Sequence, residues 1–462
     1  MTPARTPEPR FIDRVRVDKL FGQYSYDFRR FAPANTASGS RLAILYGDNG
    51  SGKTTILRLA FHLLSHLDSR GHRSFLGRTP FKRFELTLGG VVVGAERTTD
   101  RLVGPYTLYM KRGRRDYSVD VKTDPEDHSV TKASATLRPF LKRLAALDVS
   151  LFYITDEREL LTNFEFRTTP KEEELARRRK LISTSNIIFA DVAQPRPAVH
   201  HIDAALTEAL QNALEWSKEQ VLSGSKQGEA DTNTVYTQIV RRLTAGSEDE
   251  EDSGGASDIA SLISALESQR SRSAEFAKYG LPSALNIQDL TEALTHVRQN
   301  PDPILRIVRP YVEGIRARLD ALQAIQRSLA TLVATLNGFL VDKEVSFDLN
   351  KGITLASPNG SRLDPAALSS GEKQLLLLFC NTFVARTNTT IFLIDEPELS
   401  LNIKWQRKLI GALSATTGRR NIQFLMATHS FELFSPHSES VWHLTANVPH
   451  GYEKRDAAEA NA

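Results

Sequence analysis

Residues Gly47-Asp48-Asn49-Gly50-Ser51-Gly52-Lys53-Thr54 follow the pattern GxxxxGK[ST], which suits the holding of phosphate. Glycines at these positions let the main chain wrap closely around an anion without Cβ clashes. The loop amides and the positive end of a following helix add attraction. Lys53 is placed to reach the β- and γ-phosphates of a nucleotide, and Thr54 to coordinate Mg²⁺. Gly47, Asn49, Gly50, Ser51, Gly52 and Thr55 complete the expected cradle. The plain structural alternative is a Gly-rich turn before a helix. The context favours the cradle, because the strand-like run Leu42 to Tyr46 precedes it and helical spacing from Thr54 to Leu67 follows.

Thr390 to Pro397 (TIFLIDEP) is an apolar strand ending in two carboxylates. Asp395 is expected to hold Mg²⁺ through its water shell, and Glu396 to act as general base toward an attacking water. Leu368-Ser369-Ser370-Gly371-Glu372 precedes KQLLLLFCNTF and lies 23 residues before Asp395, counted from Glu372. Ser369, Ser370 and Gly371 at a helix start form a second candidate anion site. The competing reading is a helix cap, with Ser369 or Ser370 capping and Glu372 in the first turn. Phe424 to Ser430 is an apolar run ending at His429, whose neutral imidazole suits donation to a γ-phosphate or orientation of a water.

Taken in order, these segments resemble the P-loop, signature, Walker B and H-switch of ABC-type ATPase heads in the SMC, RecF and OLD superfamily. Pro397 to Asn402 resembles the D-loop between them. The resemblance covers residues 11–165 and 345–450. It implies an α/β fold, an ABC-ATPase (P-loop NTPase) head with a mixed sheet flanked by helices and interrupted by an α-helical insertion. It implies ATP and Mg²⁺ as cofactors, hydrolysis to ADP and phosphate, and a head-to-head dimer in which the P-loop of one copy faces the signature of the other. The wording LSSGEKQLLLLF, LIDEPELSLNIKWQ and ATHSFELF resembles stand-alone AAA-like ATPases of bacterial anti-phage systems: PARIS, Septu and retron-associated ATPases. The implied function is regulation of a separately encoded nuclease or toxin. Two further readings stand beside it: a RecF-like ATPase acting on DNA in repair, and an ATP-dependent scaffold with little turnover. Three departures matter. The signature reads LSSGE rather than LSGGQ, Asn402 stands where many relatives carry histidine, and no Q-loop glutamine is evident. Tyr153 to Arg158 is the segment expected in that place. For Asp156 or Arg158 the plain reading is a surface ion pair rather than a nucleotide contact.

The elements that must carry these motifs are legible as patterns. Residues 11–28 read as two short strands, 83–122 as β-rich, 148–155 as a further strand, 345–349 and 353–357 as strands again. From about 166 the spacing turns helical, in KEEELARRRKLI and HIDAALTEALQNALEWSKEQVL. Two polar stretches, SGSKQGEADTN (223–233) and AGSEDEEDSGGASD (245–258), are expected to interrupt the helices. Apolar residues then recur at Val308, Val312, Ile315, Leu319, Leu322, Leu329, Leu332, Leu336 and Phe339, the spacing of a long bundle or hairpin helix. The domain reading is therefore 1–165 for the N-terminal lobe of the head, 166–344 for the helical insertion and 345–462 for the C-terminal lobe. Positions 54 to 367 make 314 residues between Lys53 and Leu368, more than a membrane transporter's ATPase needs.

The 462 residues carry a net charge of +4, which permits but does not require nucleic acid as a partner. No apolar run approaches the ~20 residues that cross a bilayer, so no membrane partner is expected. MTPARTPEPR has no apolar core of a signal peptide and reads as a disordered tail. The single cysteine, Cys380, can form neither an internal disulfide nor a Cys-based zinc site, and inside LLLLFCNTF it reads as a buried hydrophobe. These features suit the cytoplasm. His200, His201 and Asp203 in VHHID read as polar residues near a helix start rather than a metal cluster. Lys111, Arg112, Arg114 and Arg115, and Arg177, Arg178, Arg179 and Lys180, read as solvated faces, with DNA as a further candidate partner. The 33 residues after His429 are too few for an OLD-type TOPRIM nuclease, so the effector is expected on another chain.

Overall fold

The computed structural model describes residues 11–29, 41–67, 71–130, 136–157, 160–163, 198–244, 255–282, 291–292, 294–296, 302–387, 389–418 and 422–444. Two compact units emerge: residues 1–198 with 385–462, and residues 199–384.

The first unit is built on two six-stranded sheets. One is wholly antiparallel in the order β2-β1-β4-β5-β6-β7, with β1 Ile12–Leu20, β2 Tyr24–Arg29, β4 Arg83–Leu88, β5 Val91–Glu96, β6 Tyr106–Arg112 and β7 Arg115–Val121. Its alternating burial, as in Arg83–Leu88, matches a sheet with one face on a core. The other sheet runs β15-β3-β14-β13-β8-β9, with β3 Arg41–Tyr46, β8 Leu151–Ile154, β9 Leu160–Thr162, β13 Ile391–Asp395, β14 Gln423–Thr428 and β15 Val441–His443. Its strands are parallel except β9. β13 and β14 are buried at every position, as expected of parallel strands covered on both faces.

Helix α1 (Lys53–Leu64) leaves the end of β3 and buries Ile56, Leu57, Ala60 and Phe61 in one apolar cluster with Val15 and Val17 of β1 and Leu393 and Leu425 of the parallel sheet. Helices α2 (His72–Arg78) and α3 (Leu137–Ala145) complete this region. The Gln423 side chain stitches the two sheets. Gln423 accepts from Ile12 N at 2.7 Å and donates to Ile12 O at 2.8 Å, imitating a strand pair where β1 meets β14. Short α8 (Ile403–Thr417) and α9 (Phe431–Phe434) follow β13 and β14.

The second unit holds the long helices α4 (Ala198–Thr244), α5 (Gly255–Ala277) and α6 (Asp302–Phe339), a three-stranded sheet β10 (Glu344–Asp348), β11 (Gly352–Ala356), β12 (Arg362–Leu363), and α7 (Ser370–Ala385). All nine apolar positions predicted for the helix ending at Phe339 are buried. One expectation is overturned: the polar stretch 223–233 does not interrupt a helix, because α4 runs through it without a break. Gly224 explains part of this. A Cβ there would stand 3.0 Å from Leu322 Cδ2 and 3.1 Å from Ala321 O, so the glycine admits close approach of α6 rather than ending α4. The expected N-terminal tail, the KEEELARRRKLI helix with Arg177 to Lys180, Arg158 and most of the acidic stretch after residue 244 lie outside the described residues.

Candidate nucleotide site

Strand β3 ends at Tyr46 and the loop that follows turns on two left-handed glycines, Gly50 (φ 83°) and Gly52 (φ 91°), before Lys53 opens α1. Space as well as φ requires glycine here. A Cβ on Gly52 would lie 2.6 Å from Leu20 Cδ2, and one on Gly47 would lie 2.9 Å from Leu444 Cβ. The loop is held from outside by Tyr26, whose hydroxyl donates to Ser51 O at 3.0 Å. Lys53 Nζ folds back to donate to Gly47 O at 2.7 Å and Asp48 O at 3.0 Å, while Thr54 and Thr55 occupy the first turn of α1. Ser51 Oγ is buried and has no hydrogen-bond partner among the described residues.

Asp395 ends β13 with no solvent exposure. Thr54 Oγ1 donates to its Oδ1 at 3.2 Å, and Tyr153 Oη to its Oδ2 at 3.4 Å. Burial pushes the Asp395 carboxyl up to about 6, with the Thr54 hydrogen bond pulling the other way. A nearby divalent cation would reverse that shift. The hydroxyl and carboxylate oxygens of Thr54 and Asp395 are hard donors suited to Mg²⁺. The Lys53 ammonium, the orphaned Ser51 hydroxyl and the glycine turn suit a polyphosphate. The residues present therefore fit a magnesium nucleotide.

Glu396 adopts left-handed backbone (φ 47°) and is tied to β14 by its N–H to Ala427 O at 2.9 Å. A non-glycine residue there costs about 1 kcal/mol. His429 follows β14, and its Nδ1 lies 2.5 Å from Glu396 Oε2 and 3.6 Å from Glu398 Oε1. Burial, then the neighbouring Glu398 carboxylate, push Glu396 up to about 7, and His429 opposes them. Donor atoms of Glu396, Glu398 and His429 lie within 4.8 Å of one another, the one such group able to ligate a metal found among the described residues.

The second unit, taken by itself, places Ser369 and Ser370 exposed at the start of α7. Ser369 and Glu372 form a capping box. Glu372 Oε2 accepts from Ser369 N at 2.8 Å and Ser369 Oγ at 2.9 Å, and Glu372 N points to Ser369 Oγ at 3.4 Å. Burial pushes Glu372 up, but the Lys343 ammonium at 2.7 Å and the Ser369 donors hold it below the usual carboxylate range. Ser369 thus caps the helix, with Gly371 buried next to it.

Other predicted residues find plain structural partners. Asp156 pairs with Arg58 at 3.5 Å on a partly exposed surface. Asp203 is bound to Lys373 at 2.7 Å, and the side chains of His200 and His201 lie outside those described. Asn402 caps α8, accepting from Trp405 N at 3.0 Å, a role that accounts for its identity. Lys111, Arg112, Arg114 and Arg115 are exposed at the β6–β7 hairpin. Sequence reasoning missed Glu398, Tyr153 and Gln423 as contributors. Glu398 had one signal, an acid two residues beyond Glu396 in a loop.

A glycine loop between β3 and α1, an acid pair closing β13 and a histidine closing β14 in one sheet give the fold of an ABC-type ATPase head. The family described as "AAA domain, putative AbiEii toxin, Type IV TA system" matches residues 42–435, and the chain belongs to that family. A curated relative, "Retron Vc95 probable ATPase" of Vibrio cholerae serotype O1 biovar El Tor, is 31% identical over 121 residues. The match covers 23% of this chain and 22% of the relative, so the chain spans about a fifth of that protein. Among solved structures, an Smc head domain with an extended coiled coil from Pyrococcus furiosus, bound to the C-terminal domain of ScpA, has a TM-score of 0.36 at 12% identity, covering 92% of this chain and 91% of that one. An Smc head with coiled coil and joint from Pyrococcus yayanosii has a TM-score of 0.34 at 14% identity, covering 92% and 93%. No helix among the described residues is long and apolar enough to cross a membrane.

Proposed function

We propose that this chain binds ATP with Mg²⁺ and hydrolyses it to ADP and phosphate, using two copies that enclose two nucleotides. The observation that carries the reading is the convergence of Thr54 and Asp395 at 3.2 Å beside the lysine-bearing glycine loop. Lys53 leaves its loop carbonyls for the β- and γ-phosphates. Thr54 and Asp395 hold the ion, Asp395 through water. Bound Mg²⁺ supplies charge neutralisation on the phosphate oxygens. Glu396 takes the proton of the attacking water as the bond from the γ-phosphorus to the ADP oxygen breaks. His429, its Nδ1 turned to the Glu396 carboxylate, orients the attacking water. Ser369, Ser370 and Gly371 of one copy meet the γ-phosphate of the nucleotide held by the other, through exposed hydroxyls and a helix start.

In this reading residues 1–165 and 345–462 form the head and 166–344 are inserted into it. The nucleotide-driven dimer regulates a separately encoded nuclease or toxin in the bacterial cytoplasm, in anti-phage defence. The similarity to a retron ATPase supports that setting. Light scattering tests the assembly: Glu396→Gln with Mg-ATP should double in mass relative to the nucleotide-free chain, and an unchanged mass contradicts the dimer. Co-purification with the product of a neighbouring gene tests the effector.

One observation favours a second reading, a RecF-like ATPase on DNA: four cations stand exposed together at the β6–β7 hairpin. Salt-sensitive duplex binding that also raises ATP turnover selects it.

A further inference from the structure

Glu398 lies in the loop after β13, yet its side chain is only 4% exposed. Three donors converge on its Oε1. The Thr428 hydroxyl donates to it, as do His429 N at 3.1 Å and Ser430 N at 3.2 Å. These donors stand where β14 ends, beyond its strand pairing; Ser430 N also reaches Thr428 Oγ1 at 2.9 Å, so the carboxylate and the Thr428 hydroxyl share the turn's N–H groups. One carboxylate oxygen therefore caps the turn that carries His429.

The turn has a second fastening. Ser430 Oγ donates to Gln406 Oε1 at 2.6 Å, and Gln406 Nε2 donates to Leu401 O at 2.8 Å. Leu401 N in turn donates to Glu398 O at 2.9 Å. The loop after β13 and the turn after β14 are thereby locked together. The His429 ring is 53% exposed, so packing alone does not fix its place.

We propose that Glu398 is a positioning residue of the hydrolytic site, holding the 428–430 turn so that His429 Nδ1 stays against the Glu396 carboxylate. The proposal rests on the reading of Glu396 and His429 given above and assigns the loop acid a part in it. Glu398 borders both groups, its Oε1 3.6 Å from His429 Nδ1 and its carboxylate beside Glu396, and the part assigned to it is to hold the turn.

The variants Glu398→Ala and Glu398→Gln test it together. Removing the acceptor should lower kcat about 10²-fold, the effect expected of a misplaced catalytic group, with KM for ATP within about twofold. Glutamine keeps an acceptor oxygen of the same reach and should restore kcat to within about tenfold of wild type. Isotope-edited NMR of the His429 imidazole in the nucleotide-free chain should show Nδ1 held in wild type and Glu398→Gln, and averaged in Glu398→Ala. That signal needs no turnover, so it decides the proposal even if the wild-type chain proves inactive and the ATPase reading fails. Overturning results are a kcat for Glu398→Ala within about twofold of wild type, an equal loss for both variants with the His429 signal unmoved, or a loss confined to KM.

Discussion

Thr54 and Asp395 are separated by 341 positions in the chain and by 3.2 Å in space. That contact closes a ring of elements. β3 delivers the glycine loop, α1 starts with Lys53 and Thr54, and β13, one strand removed across β14, ends with the carboxylate. Each side chain is placed by a strand end or a helix start, where backbone groups lack regular partners.

The lysine is the first place to test the cradle. Lys53 Nζ donates to two loop carbonyls. Lys53→Ala should lower ATP affinity at least tenfold, in keeping with about 1.5–3 kcal/mol for hydrogen bonds from a charged donor. Isothermal titration with Mg-ATP measures it.

The pH dependence follows from Glu396. Burial and Glu398 raise its folded-state value to about 7. A base must be deprotonated, so kcat/KM should rise with pH through about 7 and level off above it. The same shift has the opposite sign for stability. A carboxyl whose pKa is higher when folded favours the native state in its protonated form, so its contribution is lost as pH rises through the window from 4.5 to about 7. A flat rate profile across that window argues against Glu396 as the base.

Stability of the antiparallel sheet region should depend on Arg97. This guanidinium is wholly buried and donates to Phe81 O, Leu76 O and Gly77 O at 3.0 Å and to Thr79 O at 3.2 Å, stapling the end of α2 to the start of β4. Its charge lies over the Phe81 ring at 4.3 Å. Arg97→Met removes this donor from the four carbonyls, of which Gly77 O keeps Gly104 N at 2.9 Å, and should destabilise the fold by about 2–4 kcal/mol. Thermal unfolding at fixed pH reads this as a lower Tm.

Cys380 should be silent in the native chain. It is fully buried in α7, and burial pushes its thiol up to about 12. An aromatic disulfide reagent should find no thiol in the folded protein and one after denaturation.

Much of the site was readable because local chemistry required it. The loop from Gly47 to Thr54 needs glycine φ values and a helix start, and β13 and β14 carry the apolar runs Ile391 to Ile394 and Phe424 to Ala427, so the pattern alone locates them. The nine apolar positions of α6 follow helical period for the same reason. What stayed hidden is long-range. Gln423 and Ile12 pair across 411 positions, and nothing near either residue marks the bond. Glu398 looks like one more loop acid until β14 brings Thr428, His429 and Ser430 to it. The stretch around Gly224 reads as a break because serine and glycine disfavour helix, whereas packing against Leu322 uses the missing side chain. At Ser369 the letters fit both a cap and an anion site, and the capping box depends on Glu372 meeting it in space.

The most direct test is steady-state hydrolysis of Mg-ATP by the wild-type chain beside Glu396→Gln, with ATP binding measured on both. The account predicts turnover by the wild type, a loss of at least about 10²-fold in the variant and ATP affinity within a few-fold of wild type. Equal turnover by the two proteins, or a wild-type chain that ignores Mg-ATP, contradicts it.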